Sequence, residues 1–171
     1  GRPTLGRSDI RRLAKHFEIG SHSFSHRKLT DLPEAEVEKE IKRGKETLED
    51  IIGKKVTSFC PPGGDYNPRI LAIARRLGIK DVRTARIVNF NPTDRSKFLW
   101  SPNLHLFPHR RLKDILNCVS RADFASLSQR MRLISFSHLE LLEIFKKRER
   151  FHLWLHSWEV EKCRLWDYLE A

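Results

Sequence analysis

Residues 32–64 read "LPEAEVEKEIKRGKETLEDIIGKKVTSFCPPGG". Val37, Ile41, Gly44, Leu48 and Ile51 recur every three or four positions, so they share one face of a helix. Acidic residues fill its first turn, where the helix end favours negative charge, and Gly53 suits its stop. "KVTSF", residues 55–59, is rich in residues that suit a pleated surface and predicts a strand. Two prolines and two glycines then force a sharp, rigid turn. Helix, strand and tight turn in 33 residues are the grammar of a βα fold.

The same alternation extends in both directions. Downstream, "NPRILAIARRLG" (67–78) predicts a helix capped by Asn67, with Pro68 at the first helical position and Gly78 at the stop. "KDVRTA" (80–85) predicts a strand, and "FLWSPNLHLF" (98–107) an extended segment broken by prolines. Upstream, "SDIRRLAKHF" (8–17) predicts a short helix capped by Ser8, and "FEIGSH" (17–22) a short strand ending in a turn. Residues 111–123 and 138–149 are helical by pattern. "FHLWLHSW" (151–158) alternates as a strand, and "CRLWDYLEA" (163–171) closes the chain as a helix. Strands alternating with helices imply a parallel sheet or barrel, with functional residues at the C-terminal strand ends.

There is no internal repeat and no linker, so residues 1–171 are expected to be one domain. Apolar residues make up 39% and charged residues 32%, a globular balance with no run long enough to span a membrane. The N-terminal stretch "GRPTLGRSDIRRLAKHF" has no apolar core of a signal peptide. Cys60, Cys118 and Cys163 stand alone, which favours a reducing, cytoplasmic setting over a disulfide framework. The net charge is +11, with basic clusters such as "RRLAK", "HRRLK" and "KKRER". Solvated helix faces account for such clusters, and an anionic partner is the sharper reading. No zinc finger, aromatic RNA-binding strand or long basic helix points to nucleic acid.

Three constellations follow or end predicted strands and would share one rim. In "HSFSH" (22–26), His22 and His26 lie within one turn, where two imidazoles can share a metal ion. Ser23 and Ser25 could hydrogen-bond that turn and orient the rings; two polar residues at a strand end are the plainer alternative. In "FCPPGGDYNP" (59–68), Gly63 and Gly64 could present backbone N–H donors to a developing oxyanion, or merely shape a tight βα loop. In "FHLWLHSWEVEK" (151–162), alternation places His152, Trp154, His156 and Trp158 on one face. His156, beside tryptophan, could be a general acid or part of a buried aromatic layer.

Together these stretches resemble the polysaccharide deacetylase family, the NodB-homology or carbohydrate esterase 4 type. "HSFSH" resembles its HSxxH metal motif, and "FCPPGG" its F-R-P-P-Y-G loop. Leu155-His156 resembles the leucine-histidine pair of its last strand, and "LWSPNLHLFPHR" (99–110) is similar to family sequence. The resemblance runs from about Asp9 to about Leu169. It implies a distorted, incomplete (β/α) barrel and a divalent metal, usually Zn2+, held by two histidines and an aspartate. A second aspartate would activate the water that attacks an acetyl carbonyl of an N-acetylated sugar or polysaccharide. By that resemblance His22 and His26 are metal ligands and the Gly63 N–H is an oxyanion donor. His156 protonates the leaving amine, and Trp154 and Leu155, with Pro61, Pro62 and Tyr66, bind substrate.

Some positions depart from the family. Its paired aspartates precede the histidine motif, whereas the 21 residues before His22 hold one aspartate, Asp9. Cys60 stands where the family has arginine, and Gly63 where it has an aromatic residue. Asp94 and Asp123 are the candidate acidic partners of His156. Two expectations compete: an N-terminally truncated deacetylase whose barrel a missing segment or partner completes, or an inactive remnant that binds a glycan or polyanion.

Overall fold

The computed structural model describes residues 4–85, 98–102, 104–105, 140, 152–164 and 166–170. Asp94, Asp123 and, apart from Glu140, the helices expected at 111–123 and 138–149 lie outside these residues. The chain divides into two units, residues 1–85 with 94–100 and residues 86–93 with 101–171.

The first unit is built from successive βα steps. Helix α1 spans Arg7–Leu13, α2 Glu34–Ile52 and α3 Pro68–Arg76. Strands β1 (Ser58–Phe59), β2 (Asp81–Arg83) and β3 (Leu99–Trp100) form one parallel sheet in that order. Parallel neighbours need a crossover, and α3 supplies it between β1 and β2. The strand expected at 17–22 is reduced to a single parallel bridge, Ser21 to Phe59. Ser21 N–H donates to Ser58 O at 2.8 Å, and Cys60 N–H donates to Ser21 O at 2.9 Å.

The caps follow the local chemistry, with one correction. Gly6, not Ser8, is the residue preceding α1, and its N–H donates to Asp9 Oδ2 at 3.1 Å. Asn67 Oδ1 accepts the Ile70 N–H at 3.0 Å, which starts α3 where the sequence places it. Gly53 ends α2 at φ +69°, a left-handed conformation that costs glycine little.

The apolar faces meet between the helices and the sheet. Leu29, Leu32, Val37 and Ile41 pack with Phe59, Ile70, Ile73, Ala74, Ile79 and Val82 as one buried cluster. Burial of an Ile or Leu side chain is worth about 1.5–3 kcal/mol, so this seam is what anchors α2 and α3 on the strands.

In the second unit, β4 (Leu104–His105) and β5 (Leu153–Trp154) pair in parallel. Helices α4 (Ser157–Cys163) and α5 (Trp166–Glu170) follow. The strand expected through residue 158 therefore ends four residues early, and Trp158 lies on α4. A mixed α/β fold with small parallel sheets is as the alternation predicts.

Candidate functional site

The "HSFSH" stretch is a loop leaving the Ser21 bridge. That bridge sets the Cys60 carbonyl beside His22, and the His22 Nδ1 lies 2.6 Å from Cys60 O. A carbonyl oxygen can only accept, so Nδ1 carries the proton and donates it. The neutral ring then has its lone pair on Nε2, the tautomer that suits coordination through that nitrogen. The His26 ring stands edge-on to His22, with centroids 4.9 Å apart and planes at 70°. Both histidines are exposed.

The loop holds an unusual backbone. Ser23 and His26 have φ of +65° and +60°, a region costly for residues with a Cβ. Helix α2 compensates from below. The Glu40 carboxylate accepts the Phe24 N–H at 3.2 Å and the Ser25 N–H at 2.8 Å through Oε2, and the Ser25 hydroxyl at 2.7 Å through Oε1. Ser23 Oγ accepts the His26 N–H at 3.1 Å. Gly44, one turn along α2 from Glu40, lies against the loop backbone, where a Cβ would sit 2.5 Å from Ser23 O. The Arg43 guanidinium covers the Phe24 ring at 3.9 Å. Burial pushes the Glu40 carboxyl up, but the hydrogen bonds from Ser25 and Phe24, with the charge of Arg27, outweigh it and hold it below the usual range.

The proline-glycine turn follows β1 directly. Pro61, Pro62 and Gly64 are buried, Tyr66 is half-buried and Gly63 is exposed. Gly63 and Gly64 take φ of +67° and +70°. A Cβ on Gly64 would lie 2.2 Å from Ala85, whereas one on Gly63 would meet only Asp65 Oδ2 at 3.9 Å. So Gly64 is a packing glycine and Gly63 the one with open space beside it. Burial raises the Cys60 thiol above its ordinary value, partly offset by the charge of Arg83. A thiol so held is a poor nucleophile at neutral pH.

A divalent metal would find two ring nitrogens here. Among the described residues no group of three His, Cys, Asp or Glu side chains could hold an ion. Asp9 is engaged at its own helix start, with Gly6 N–H and with Arg12 Nη2 at 3.4 Å. The two imidazoles could supply two of the ligands, and a catalytic zinc site takes a third from the protein.

His156 belongs to the second unit and immediately precedes α4. Among the described residues an acidic partner of His156 is Glu159, which is not one of the two aspartates expected. Glu159 Oε2 accepts the His156 backbone N–H at 3.2 Å and the ring Nδ1–H at 2.8 Å. Glu159 is buried, and Trp154 and Trp158 flank the imidazole at centroid distances of 5.3 and 5.8 Å. Trp154 and Leu155 are half-buried and His156 is exposed. The signal for Glu159 was available: an acidic residue three positions after the residue preceding a helix is half of a capping box.

Comparison with known proteins places these loops in context. Residues 6–82 match the family model described as polysaccharide deacetylase. Chitin deacetylase 1 of Cryptococcus neoformans var. grubii is 34% identical over 65 residues, 38% of this chain and 14% of that protein. The Bacillus subtilis protein YlxY is 32% identical over 57 residues, 33% of this chain and 18% of that protein. The chain thus spans less than a fifth of the length of either relative. Among solved structures, the Streptococcus pyogenes deacetylase PplD in complex with acetate superposes with a TM-score of 0.50 at 20% identity, over 58% of this chain and 46% of that one. The Bacillus anthracis protein BA0330 gives 0.50 at 24% identity, over 57% and 31%. Those superpositions show a shared fold over the matched part.

Proposed function

We propose that this chain carries the histidine part of a metal-dependent deacetylase, a reading supported by the match of residues 6–82 to the polysaccharide deacetylase family model. Its reaction is hydrolysis of the acetamide of an N-acetylated sugar or polysaccharide. The observation that carries the reading is the His22–His26 ring pair with the His22 proton held on Nδ1 by Cys60 O.

In this reading His22 and His26 hold a divalent cation, Zn2+ in preference to harder ions, since imidazole nitrogen suits it. When bound, such a cation supplies Lewis-acid polarisation of a carbonyl and lowers the pKa of a water. The chain's own residues take the following roles. The Gly63 N–H, on an exposed turn, is the donor to the acetyl oxyanion. His156, oriented by Glu159, gives the proton to the leaving amine. Trp154, Leu155 and Tyr66, with Pro61 and Pro62 shaping the turn, bind the sugar and its acetyl group. A third ligand and a general base, both carboxylates in this reading, complete the site.

The test is acetate release from an N-acetylated glucosamine oligomer with Zn2+ present, by this chain and by a form extended with an upstream strand carrying an aspartate pair. Turnover in the extended form, lost on His22→Ala and His156→Ala, supports the reading; no turnover in either form overturns it. A second reading rests on the net charge of +11: binding of an anionic glycan without turnover. Binding that survives loss of both histidines but weakens with salt would favour it.

A further inference from the structure

We infer that Glu40 is the positioning residue of the histidine loop: a buried carboxylate on α2 that sets the left-handed backbone from which His22 and His26 project. The inference rests on the metal reading above for its functional meaning, and on geometry for its substance.

The loop makes an unfavourable conformation at Ser23 and again at His26. Something outside it must over-determine that shape. Glu40 takes two consecutive backbone N–H groups and one hydroxyl, all between the two strained residues. Among the described residues, Glu40 is the side chain that accepts hydrogen bonds from Phe24 and Ser25. Consecutive N–H groups converging on one carboxylate are a small anion nest, here filled by the protein's own charge. Glu40 is 8% exposed although it sits in a helix whose other acidic residues near it, Glu36 and Glu38, face solvent-side partners Arg27 and Arg76. This buried carboxylate faces the N–H groups of the loop and holds them. Gly44 lets that loop descend until Ser23 O occupies the space of a Cβ. Glu40 and Gly44 are thus the clamp and the seat for "SFS", and the two rings are presented at its ends.

The carboxylate touches neither ring and is not a catalytic residue. It acts on the metal through the loop, the way outer-sphere partners orient ligands.

The experiment compares the full chain with Glu40→Ala and Glu40→Gln, by amide hydrogen exchange and by Zn2+ titration. Gln keeps one oxygen for the two N–H groups and turns an NH2 toward Ser25 Oγ, so it should rescue what Ala loses. In Glu40→Ala, exchange at Phe24 and Ser25 should speed up at least tenfold while the Ile41 and Val82 amides stay protected. Zn2+ affinity should fall roughly 10–100-fold, as for other outer-sphere substitutions. Glu40→Gln should stay near wild type in both. Unchanged exchange at Phe24 and Ser25 in Glu40→Ala overturns the inference. So does faster exchange throughout the unit, which would mean a general stabilising role. If the wild-type chain takes up no Zn2+, the metal reading fails, and the exchange arm still decides the role of Glu40.

Discussion

Gly44→Ala sets two effects of opposite sign against each other. In a helix interior, Gly→Ala is favourable by about 1 kcal/mol, because alanine loses less backbone entropy. At this position the added Cβ would lie 2.5 Å from Ser23 O, 2.6 Å from Ser23 C and 3.0 Å from Phe24 N. These are backbone atoms and cannot rotate away, as the tip of a side chain could. The loop must lift, and overpacking of this kind costs about 1–3 kcal/mol. Lifting also stretches the hydrogen bonds that Phe24 and Ser25 give to Glu40. Each such bond contributes about 1 kcal/mol net. The clash and the lost bonds outweigh the propensity gain, leaving a net loss of about 2 kcal/mol. For a chain of this size that is a fall in melting temperature of roughly 4–8 °C. Thermal denaturation followed by circular dichroism, with urea titration as a check, measures it. A Gly44→Ala chain as stable as wild type, or more stable, would mean that the loop does not rest on α2, and the seat-and-clamp account would fail.

Three further outcomes are expected. Asn67→Ala removes the side-chain acceptor of the Ile70 N–H and should cost about 1 kcal/mol by urea denaturation, with Asn67→Asp restoring most of it. Glu40 has its carboxyl held below the usual range, so its contribution is complete above the ordinary Glu pKa of about 4.3 and is lost as pH falls through the lower folded value; acid titration of stability should therefore be shallower in Glu40→Gln than in wild type. Glu159→Ala removes the acceptor of both the His156 N–H and its ring, so it should destabilise by about 1 kcal/mol and broaden the His156 ring signals in NMR. Unaltered His156 signals would show that Glu159 does not hold the ring.

Much of the first unit was legible from residue pattern. Helices α2 and α3 lie where periodicity and capping residues put them, because long amphipathic faces and Asn-Pro starts are local signals. The parallel pairing of β1 with β2 follows from the helix between them. Strand lengths were not legible. "KVTSF" is uniformly suited to a sheet, yet only Ser58–Phe59 pairs with β2, because a ladder depends on the neighbouring strand as well as on propensity. "FHLWLHSW" keeps its alternation past the point where α4 begins, and the His156–Glu159 spacing was the better guide to that boundary.

The site was half legible for a related reason. The two histidines stand out through the resemblance of "HSFSH" to a metal motif, although their spacing alone equally suits two polar residues at a strand end. Their supports do not stand out. Glu40 lies in a run of alternating acidic residues that reads as a solvated helix face, and only the fold reveals that it alone turns inward. Gly44 matches the apolar face of α2 by spacing, so its role reads as helix packing; the loop backbone that fills the space comes from twenty residues upstream. Asp9 shows the converse. It is the one aspartate ahead of His22, and its carboxylate is engaged with the start of α1 and with Arg12.

The central claim is that His22 and His26 act together on one metal ion. The direct measurement is isothermal titration of Zn2+ into the full chain, into His22→Ala and into His26→Ala, with metal content checked by atomic emission. One Zn2+ per chain, abolished in both variants, is the predicted result. Uptake no greater in the wild-type chain than in the two variants would contradict it, and the ring pair would then be a structural contact of the loop.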